Sequence, residues 1–248
     1  MPKPLVQIGQ RPLLWHVMKY YAHFGHKDFI LCLGYRADAI KDYFLNYNEC
    51  VSNDFVLSGG GKTLELMSRD IEDWRITFAD TGISSNIGER LKAAQKYLEG
   101  EDEFLANYSD GLTDLPMPQY LDDFRRQGRI ASFLCVRPNL SYHVVSLQQG
   151  SNLVSGIHPI NNGDVRINGG FFVFRKEIFE YMKDREELVE EPFRRLARDQ
   201  QLLGYVYDGF WASIDTIKDK QQLESLYSGG TAPWELWRSC GTAARAAH

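Results

Sequence analysis

Short apolar runs alternate with amphipathic segments of helical spacing along most of this chain, and no other feature constrains its fold as strongly. Three strand-like runs are each followed by a helical segment: 29–33 by 37–46, 74–79 by 86–98, and the apolar start of 104–111 by 119–127. A further run lies at 130–136. Strand–helix alternation of this kind predicts an α/β fold with a doubly wound, mostly parallel, Rossmann-like sheet and helices on both faces.

The size and charge of the chain exclude several classes of function. With 248 residues, 44% of them hydrophobic, the chain can bury a full core as one large domain. Its 28 basic and 33 acidic residues give a net charge of −5. That balance argues against a general role in binding nucleic acid or membrane surfaces.

The N-terminal and cysteine patterns predict a cytoplasmic protein. No apolar run approaches the roughly 20 residues needed to span a bilayer, and the first residues lack the pattern of a secretory signal. The cysteines have no metal-ligand spacing. Cys32 and Cys135 lie in apolar strand-like runs, which predicts buried free thiols.

Two carboxylates follow apolar runs at widely separated positions. The segment 104–111 (FLANYSDG) presents Asp110, and the run 202–207 leads into Asp215 within 208–216 (DGFWASIDT). In open α/β sheets ligands bind outside the carboxyl ends of the strands, and Mg²⁺ prefers oxygen ligands. The pair therefore predicts an Mg²⁺ site. Taken alone, Asp110 followed by Gly111 is more typical of a plain turn.

Several segments, in order and with matching spacing, resemble the sugar-1-phosphate nucleotidyltransferase family. They are 3–9 (KPLVQIG), 12–16 (PLLWH), 32–35 (CLGY), 80–82 (DTG), 167–172 (INGGFF), 208–216 (DGFWASIDT) and 232–237 (APWELW). Within the family, the resemblance is greatest to the glucose-1-phosphate cytidylyltransferases. It implies a nucleotidyltransferase-like domain over 1–237, followed by a tail over 238–248 that contains Cys240.

The resemblance also implies a reaction. A nucleotidyl group would pass from a nucleoside triphosphate, with CTP favoured, to a sugar 1-phosphate, with release of pyrophosphate. Asp110 and Asp215 would hold Mg²⁺, and Lys3 would neutralise charge on the triphosphate. An exposed N-terminal lysine is the alternative for Lys3. Relatives assemble into homo-oligomers, so self-association is expected as well.

The predicted nucleotide contacts surround the start of one helix. Besides Lys3 and Asp110, the resemblance implies Thr81, Gly82, Gly88 and Arg90. The family's Thr-Gly-Gly-Arg is here Ile87-Gly88-Glu89-Arg90, so only Gly88 and Arg90 carry over. An ordinary loop and helix start is the alternative interpretation.

The predicted sugar-phosphate contacts are His158, Asn168, Gly169 and Asp215. Glycine at 169 and 170 would let the backbone approach a ligand closely, although a β-bulge would explain the same pair. Where relatives have Glu-Lys-Pro, this chain has Ile157-His158-Pro159. His158 and Arg166 are candidates for replacement charge, or else are solvated loop residues.

The family's glycine-rich loop, Gly-Gly-x-Gly-Thr-Arg-Leu, and the strand before it have no match in this sequence. In relatives they precede the lysine that Lys3 matches, and the loop offers N–H groups to the triphosphate. A misplaced start and a truncated relative would each explain the difference. Without that strand we expect an unpaired slot between inner strands and a weakened nucleotide site.

A second glycine-rich segment, 58–63 (SGGGKT), is predicted to be a hairpin turn rather than a phosphate-binding loop. A Walker A motif requires glycine where Val56 stands and a helix after the threonine.

Three functions remain open from the sequence. An active sugar-phosphate nucleotidyltransferase is favoured because both carboxylates are present. A non-catalytic binding or regulatory paralogue would explain the missing loop and the lost Glu-Lys-Pro. A GT-A type glycosyltransferase ranks last because its Asp-x-Asp motif is absent, Asp110 and Asp114 being four positions apart.

Overall fold

The computed structural model describes residues 2–138, 142–160 and 163–238, and the predicted alternation of strands and helices is present. The helices are α1 (Leu13–His23), α2 (Ala37–Leu45), α3 (Ile87–Ala94), α4 (Met117–Gln127), α5 (Glu191–Arg198) and α6 (Ile217–Ser228). Short 3-10 segments lie at Lys3–Leu5, Glu49–Val51, Gln95–Tyr97 and Lys176–Tyr181. The strands are β1 (Gln7–Ile8), β2 (Arg11–Pro12), β3 (Asp28–Leu33), β4 (Phe55–Ser58), β5 (Thr63–Leu66), β6 (Arg75–Asp80), β7 (Glu103–Ala106), β8 (Gly111–Thr113), β9 (Ala131–Val136), β10 (His143–Leu147), β11 (Val154–Pro159), β12 (Ile167–Asn168), β13 (Phe172–Arg175), β14 (Leu202–Val206) and β15 (Trp211–Ser213).

A mixed sheet forms the centre of the fold. β9 pairs with β14 along one edge and with β12 and β13 along the other, and β13 pairs onward with β7. β14 is parallel to β9, whereas β13 is antiparallel to both β9 and β7, so β7, β9 and β14 share one direction. Helices α4 and α5 lie in the long connections that such aligned strands require. The predicted α/β, Rossmann-like class is confirmed.

Helices cover both faces of this sheet. Val173 of β13 packs in a core cluster that contains Val17 of α1, whereas its neighbour Phe172 packs in a second cluster that contains Phe193 of α5. Because successive side chains of a strand point to opposite faces, the two clusters lie on opposite sides of the sheet.

A bulge separates β12 from β13, as one interpretation of the paired glycines predicted. Asn168 pairs with Cys135 but Val173 pairs with Ser132, so the four residues between 168 and 173 face the two residues between 132 and 135. Gly170 has φ of 74° in this bulge. The insertion moves the backbone of 169–171 out of regular strand geometry.

A cleft of about 990 Å³ lies between the central sheet and a separate parallel pair formed by β3 and β6. Every residue of β3 and of β7 lines this cleft. Within the described ranges, β3 pairs only with β6 and β7 pairs only with β13, so each strand has an edge without a strand partner. The unpaired slot expected from the sequence is therefore present.

Two antiparallel hairpins carry much of the exposed apolar surface. β4 and β5 are joined through Gly59, Gly60 and Gly61, which all have positive φ, and this confirms the predicted glycine hairpin. β10 and β11 form the second hairpin. The exposed large apolar side chains on or beside these hairpins are Phe55, Val56, Leu57, Leu64, Met67, Tyr142, Val145, Leu147, Leu153, Val154 and Ile157.

The structure also bears on the expectations for membrane spans, cysteines and the C-terminal tail. Within the part of the chain that the structure describes, no helix is long and apolar enough to cross a bilayer. Cys32 and Cys135 are free thiols, as predicted, and are partly buried. The expected tail over 238–248, with Cys240, lies outside the described residues except for Arg238.

Candidate active site

A short antiparallel ladder brings Asp110 and Asp215 together beyond the carboxyl end of β7. β8 begins directly after Asp110 and pairs with β15, so that Gly111 lies opposite Ser213. The backbone N–H of Ile214 donates to the backbone oxygen of Asp110 at 3.1 Å, and the side chain of Ile214 is buried in the core. The register of this ladder therefore sets the separation of the two carboxylates.

Lys3 bridges these carboxylates. Its Nζ donates to Asp110 Oδ2 at 2.7 Å and to Asp215 Oδ1 at 2.8 Å. The 3-10 segment Lys3–Leu5 holds the lysine at this position, because Leu5 is buried in the core while the Lys3 side chain stays 40% exposed. The structure thus brings together the three residues predicted to be catalytic, although they are far apart in the sequence.

The contacts within this cluster shift the pKa of Lys3 and the pKa of Asp215. The hydrogen bond from Lys3 holds the pKa of Asp215 below its usual range, and Ser213 Oγ, which donates to Asp215 Oδ2 at 3.0 Å, adds to that shift. Burial lowers the pKa of Lys3, but the hydrogen bonds and charges of Asp110 and Asp215 together raise it above its usual value. Lys3 and Asp215 are therefore both charged at neutral pH.

The carboxylate pair suits a hard divalent cation by the chemistry of its donors. One oxygen of each carboxylate converges on the positive charge of Lys3 Nζ, so the pair already holds one cationic group. Among the residues that the structure describes, no group of three or more His, Cys, Asp and Glu side chains could hold a metal ion. A metal at this pair would complete its shell with water or phosphate oxygens, as Mg²⁺ commonly does.

A pocket of about 270 Å³ opens beside the carboxylate pair. Tyr108 and Trp211 contribute aromatic rings to its lining, and Asn168 and Gln222 contribute amides. Asp215 lies at the same pocket. Apolar walls with a few polar groups are typical of sites that orient a small ligand.

Hydrogen bonds orient the aromatic and amide side chains of this pocket. Trp211 Nε1 donates to the backbone oxygen of Gly169 at 2.8 Å. Asn168 Nδ2 donates to the Tyr108 hydroxyl at 3.3 Å, and Asn168 Oδ1 accepts from the N–H of Gly170 at 2.9 Å. The bulge between β12 and β13 thus holds one wall of the pocket.

Gly169 was expected to let the backbone approach a ligand, and the structure assigns it a packing role. A Cβ at this position would lie 3.0 Å from Trp211 Nε1 and 3.0 Å from Val136 Cγ2. The space beside Gly169 is therefore filled by the protein's own side chains.

Comparison with known proteins decides the family. No protein-family model matches the sequence. The glucose-1-phosphate cytidylyltransferase of Salmonella typhi is 36% identical over 237 residues, which cover 95% of this chain and 91% of that protein. The protein of the same name from Salmonella typhimurium is also 36% identical over 237 residues, with the same coverage of 95% and 91%. The chain belongs to the glucose-1-phosphate cytidylyltransferase family.

A solved structure supports the fold of this cytidylyltransferase-family chain. The UTP-bound UGPase from Acinetobacter baumannii matches with a TM-score of 0.62 at 15% identity, covering 92% of this chain and 86% of that chain. This likeness shows the fold alone, whereas the two Salmonella relatives confirm the family resemblance drawn from the motifs.

Asp114, the second acidic residue considered for a glycosyltransferase motif, has a structural role in this family member. Its Oδ1 accepts from the Tyr207 hydroxyl at 2.6 Å and from the N–H of Phe210 at 2.8 Å. These bonds fix the turn that precedes β15. The family assignment and this geometry leave the GT-A hypothesis without support.

Thr81 and Arg90, two predicted nucleotide contacts of this cytidylyltransferase-family chain, form a corner at the edge of the large cleft. Thr81 Oγ1 donates to the backbone oxygen of Leu33 at 2.9 Å and accepts from Arg90 Nη1 at 2.8 Å. The guanidinium covers Gly34, where an added Cβ would lie 2.4 Å from Arg90 Nη2. Arg90 and Asp110 line the same cleft, so the structure connects this corner to the carboxylate pair.

The other two predicted nucleotide contacts lie near the start of α3. Gly82 is exposed in the turn after β6, with φ of 90°. Gly88 is buried, and a Cβ there would lie 2.3 Å from the backbone oxygen of Glu186. Gly88 therefore lets α3 pack closely against the segment at 186–188, and its contact with a nucleotide stays a prediction. Glu89, which replaces a family glycine, closes a capping box with Asn86.

His158 and Arg166, the candidates for charge at the sugar phosphate, are not brought to the pocket. His158 is exposed on β11, opposite Val144, and is not among the residues that line the smaller pocket. Arg166 Nη1 lies 2.9 Å from Asp208 Oδ1 instead. The expected contact from His158 is not supported, because that residue belongs to the exposed hairpin.

Several residues that line the pocket, among them Tyr108, Trp211 and Gln222, were not singled out as contacts from the sequence. Tyr108 and Trp211 lie inside the segments that carry Asp110 and Asp215, and aromatic residues beside strand-end carboxylates were an available signal. Gln222 lies on α6, where nothing in the local pattern separates it from other polar side chains of the helix.

Proposed function

We propose that this chain transfers a cytidylyl group from CTP to glucose 1-phosphate and releases pyrophosphate. The observation that carries the proposal is the convergence of Lys3, Asp110 and Asp215 beside a pocket with aromatic and amide walls. The names of the two relatives support CTP and glucose 1-phosphate as the substrates.

The reaction needs positioning and charge neutralisation more than covalent chemistry by the protein. An oxygen of the sugar phosphate attacks the α-phosphorus of CTP. The bond from that phosphorus to the bridging oxygen breaks, and its electron pair leaves with pyrophosphate. Because no enzyme-bound intermediate is required, in-line geometry and stabilisation of phosphate charge supply the rate. The Lys3 ammonium would donate to oxygens of the triphosphate.

We assign the Mg²⁺ ligands to Asp110 and Asp215. When bound, Mg²⁺ would neutralise phosphate charge and hold the reacting groups in line. Support comes from the positions of Asp110 Oδ2 and Asp215 Oδ1, which already share one cationic partner. Ser213 would keep the Asp215 carboxylate oriented through its 3.0 Å hydrogen bond.

We assign glucose 1-phosphate to the pocket of about 270 Å³. Its sugar ring would pack against Trp211, and its hydroxyls would bond the amides of Asn168 and Gln222. The pocket includes Asp110 and Asp215, so a sugar phosphate bound there would have its phosphate near the carboxylate pair.

We assign the nucleotide to the end of the large cleft that Arg90 and Asp110 share. Thr81 and Arg90 would shape the site for the base and ribose, with Gly82 in the adjacent turn. Gly88 would act indirectly, by allowing α3 to pack where it presents Arg90.

We further propose that the protein forms homo-oligomers in the cytoplasm. Self-association is supported by the exposed apolar side chains on the two hairpins, including Leu57 and Ile157 with 57% and 65% exposure. Light scattering would test this self-association. The Ile157→Glu variant should have a lower molar mass than the wild-type oligomer, whereas a variant of the exposed Ile83 should keep the mass of the oligomer.

A cytoplasmic location is supported by the free thiols of Cys32 and Cys135.

The experiment that tests the proposed reaction is pyrophosphate release with Mg²⁺, each common nucleoside triphosphate and a panel of sugar 1-phosphates. We expect the highest kcat/KM with CTP and glucose 1-phosphate, and no release when either is omitted. A different preferred pair would overturn the substrate assignment. No release with any pair, in folded protein that still binds nucleotide, would instead identify a binding or regulatory paralogue.

A further inference from the structure

The ammonium of Lys3 pairs with both carboxylates that would hold the proposed metal. It lies 2.7 Å from Asp110 Oδ2 and 2.8 Å from Asp215 Oδ1, within hydrogen-bond reach of both. A Mg²⁺ ion held by Asp110 and Asp215 would lie close to the same ammonium. A dication and an ammonium repel each other strongly at such separations, so both cannot hold the same two oxygens.

We infer that Lys3 is an internal cation that competes with the divalent metal for this carboxylate pair. Binding of a metal–nucleotide complex displaces the ammonium, which then pairs with the phosphates that arrive with the metal. The inference rests on the proposed function, because it takes Asp110 and Asp215 as the metal ligands.

The surroundings of Lys3 permit this exchange without movement of the backbone. The Lys3 side chain is 40% exposed, and its long aliphatic stem can rotate while Leu5 stays anchored in the core. Asp215 keeps the hydrogen bond from Ser213 Oγ when the lysine leaves, and Asp110 keeps its backbone bond to Ile214. The carboxylates therefore remain in place for the incoming metal.

The exchange has a consequence for the order of binding. A metal that binds alone must break two ion pairs of Lys3 and leaves the ammonium without a partner. The affinity of the carboxylate pair for the metal alone is therefore reduced. Metal together with a triphosphate offers the displaced ammonium new anionic oxygens. Metal and nucleotide should therefore strengthen each other's binding, and part of this coupling should depend on Lys3.

The test is Mn²⁺ binding followed by the electron paramagnetic resonance signal of the free ion, with and without CTP. The proteins are the wild type, Lys3→Met, Lys3→Arg and Asp110→Asn. Lys176→Met serves as the matched control, because Lys176 pairs with the exposed Asp102 and its removal changes the net charge equally.

Without CTP, Lys3→Met should bind Mn²⁺ about fivefold more tightly than the wild type, which is the upper range for an exposed ion pair. The affinity of Lys3→Arg and of Lys176→Met for Mn²⁺ should stay within about twofold of the wild-type affinity, since exposed ion pairs contribute little. The enhancement of Mn²⁺ binding by CTP should be smaller in Lys3→Met than in the wild type.

The outcomes separate this inference from the proposed function. If Asp110→Asn weakens Mn²⁺ binding but Lys3→Met leaves it unchanged or weaker, competition by Lys3 is overturned while the metal site stands. If Asp110→Asn leaves Mn²⁺ binding unchanged, the metal assignment fails and the inference fails with it. If Lys176→Met binds Mn²⁺ as tightly as Lys3→Met does, the change in net charge alone explains the effect, and the inference is overturned.

Discussion

The indole nitrogen of Trp211 donates to the backbone oxygen of Gly169 at 2.8 Å. This bond joins the bulge after β12 to β15, the strand that leads into Asp215. One wall of the proposed sugar pocket and the backbone that positions a proposed metal ligand therefore form a single unit. A change at Gly169 should disturb both.

The first prediction concerns the variant Gly169→Ala. Its Cβ would lie 3.0 Å from Trp211 Nε1 and from Val136 Cγ2, so the indole must shift to make room. We expect KM for glucose 1-phosphate to rise several-fold and stability to fall by about 1 kcal/mol, as for modest overpacking. Gly156→Ala is the control, because the nearest atom to its added Cβ is Ser146 Cβ at 3.9 Å. Equal kinetics in the two variants would contradict the account.

The second prediction concerns Gln222. If its amide bonds a sugar hydroxyl, Gln222→Ala should raise KM for glucose 1-phosphate by about three- to tenfold, the worth of one hydrogen bond. KM for CTP should change little. Steady-state kinetics would measure both, with Gln221→Ala as the control, since Gln221 precedes it on α6 and does not line the pocket. An effect on CTP alone would remove Gln222 from the sugar site.

The elements of the fold could be predicted from the sequence more completely than the site could. The strand over 29–33 and the helix over 37–46 are observed as Asp28–Leu33 and Ala37–Leu45. These elements could be predicted because hydrophobic periodicity and the glycines at their ends are local features of the sequence. The convergence of Lys3, Asp110 and Asp215 depends on the pairing of β8 with β15. The strand-end positions of Asp110 and Asp215 indicated a shared site in advance, but only the family resemblance added Lys3 to it.

Long-range packing explains where the sequence interpretation of individual residues fell short. The partner of Gly88 is the backbone of Glu186, and no pattern near Gly88 could indicate that contact. His158 follows a family motif position, yet it lies on an exposed hairpin whose placement the local sequence does not encode. Gln222 lines the pocket because its neighbour Leu223 packs in the same core cluster as Ala212 of β15.

The third prediction separates the packing role of Gly88 from ligand binding. Gly88→Ala would bring a Cβ to 2.3 Å from the backbone oxygen of Glu186, so α3 or the segment at 186–188 must move. We expect the free energy of unfolding to fall by about 1–3 kcal/mol even without ligand. Urea unfolding of the free protein measures this. An unchanged unfolding midpoint together with weaker CTP binding would restore the ligand-facing role.

The fourth prediction concerns the pH dependence of stability through His16. This residue is buried, with Nε2 3.0 Å from the backbone oxygen of Ile8 and Nδ1 accepting from Trp234 Nε1 at 3.3 Å. Burial lowers its pKa from 6.5 to about 4. Between pH 6.5 and pH 4 the unfolded chain binds more protons than the folded chain. The stability that neutral His16 contributes is therefore fully present above pH 6.5 and is lost as pH falls towards 4.

The magnitude of this loss is about 3 kcal/mol. Glu235 titrates in the opposite direction, because burial raises its pKa to about 7 and its protonation favours the folded state as pH falls. The measurement is therefore the difference in unfolding free energy between the wild type and His16→Gln, followed by urea denaturation across this pH range. The difference should shrink as pH falls. Parallel curves would contradict the assignment of a neutral buried histidine.

The proposed reaction requires that Asp110 and Asp215 act together on the substrates through a divalent cation. The most direct test is Mg²⁺-dependent pyrophosphate release from CTP and glucose 1-phosphate by the wild type, Asp110→Asn and Asp215→Asn. Asp102→Asn is the matched control, since Asp102 is an exposed carboxylate paired with Lys176. We predict a loss of at least about 100-fold in kcat for each of the first two variants and wild-type kinetics for the control. An undiminished rate in either Asp110→Asn or Asp215→Asn would contradict it.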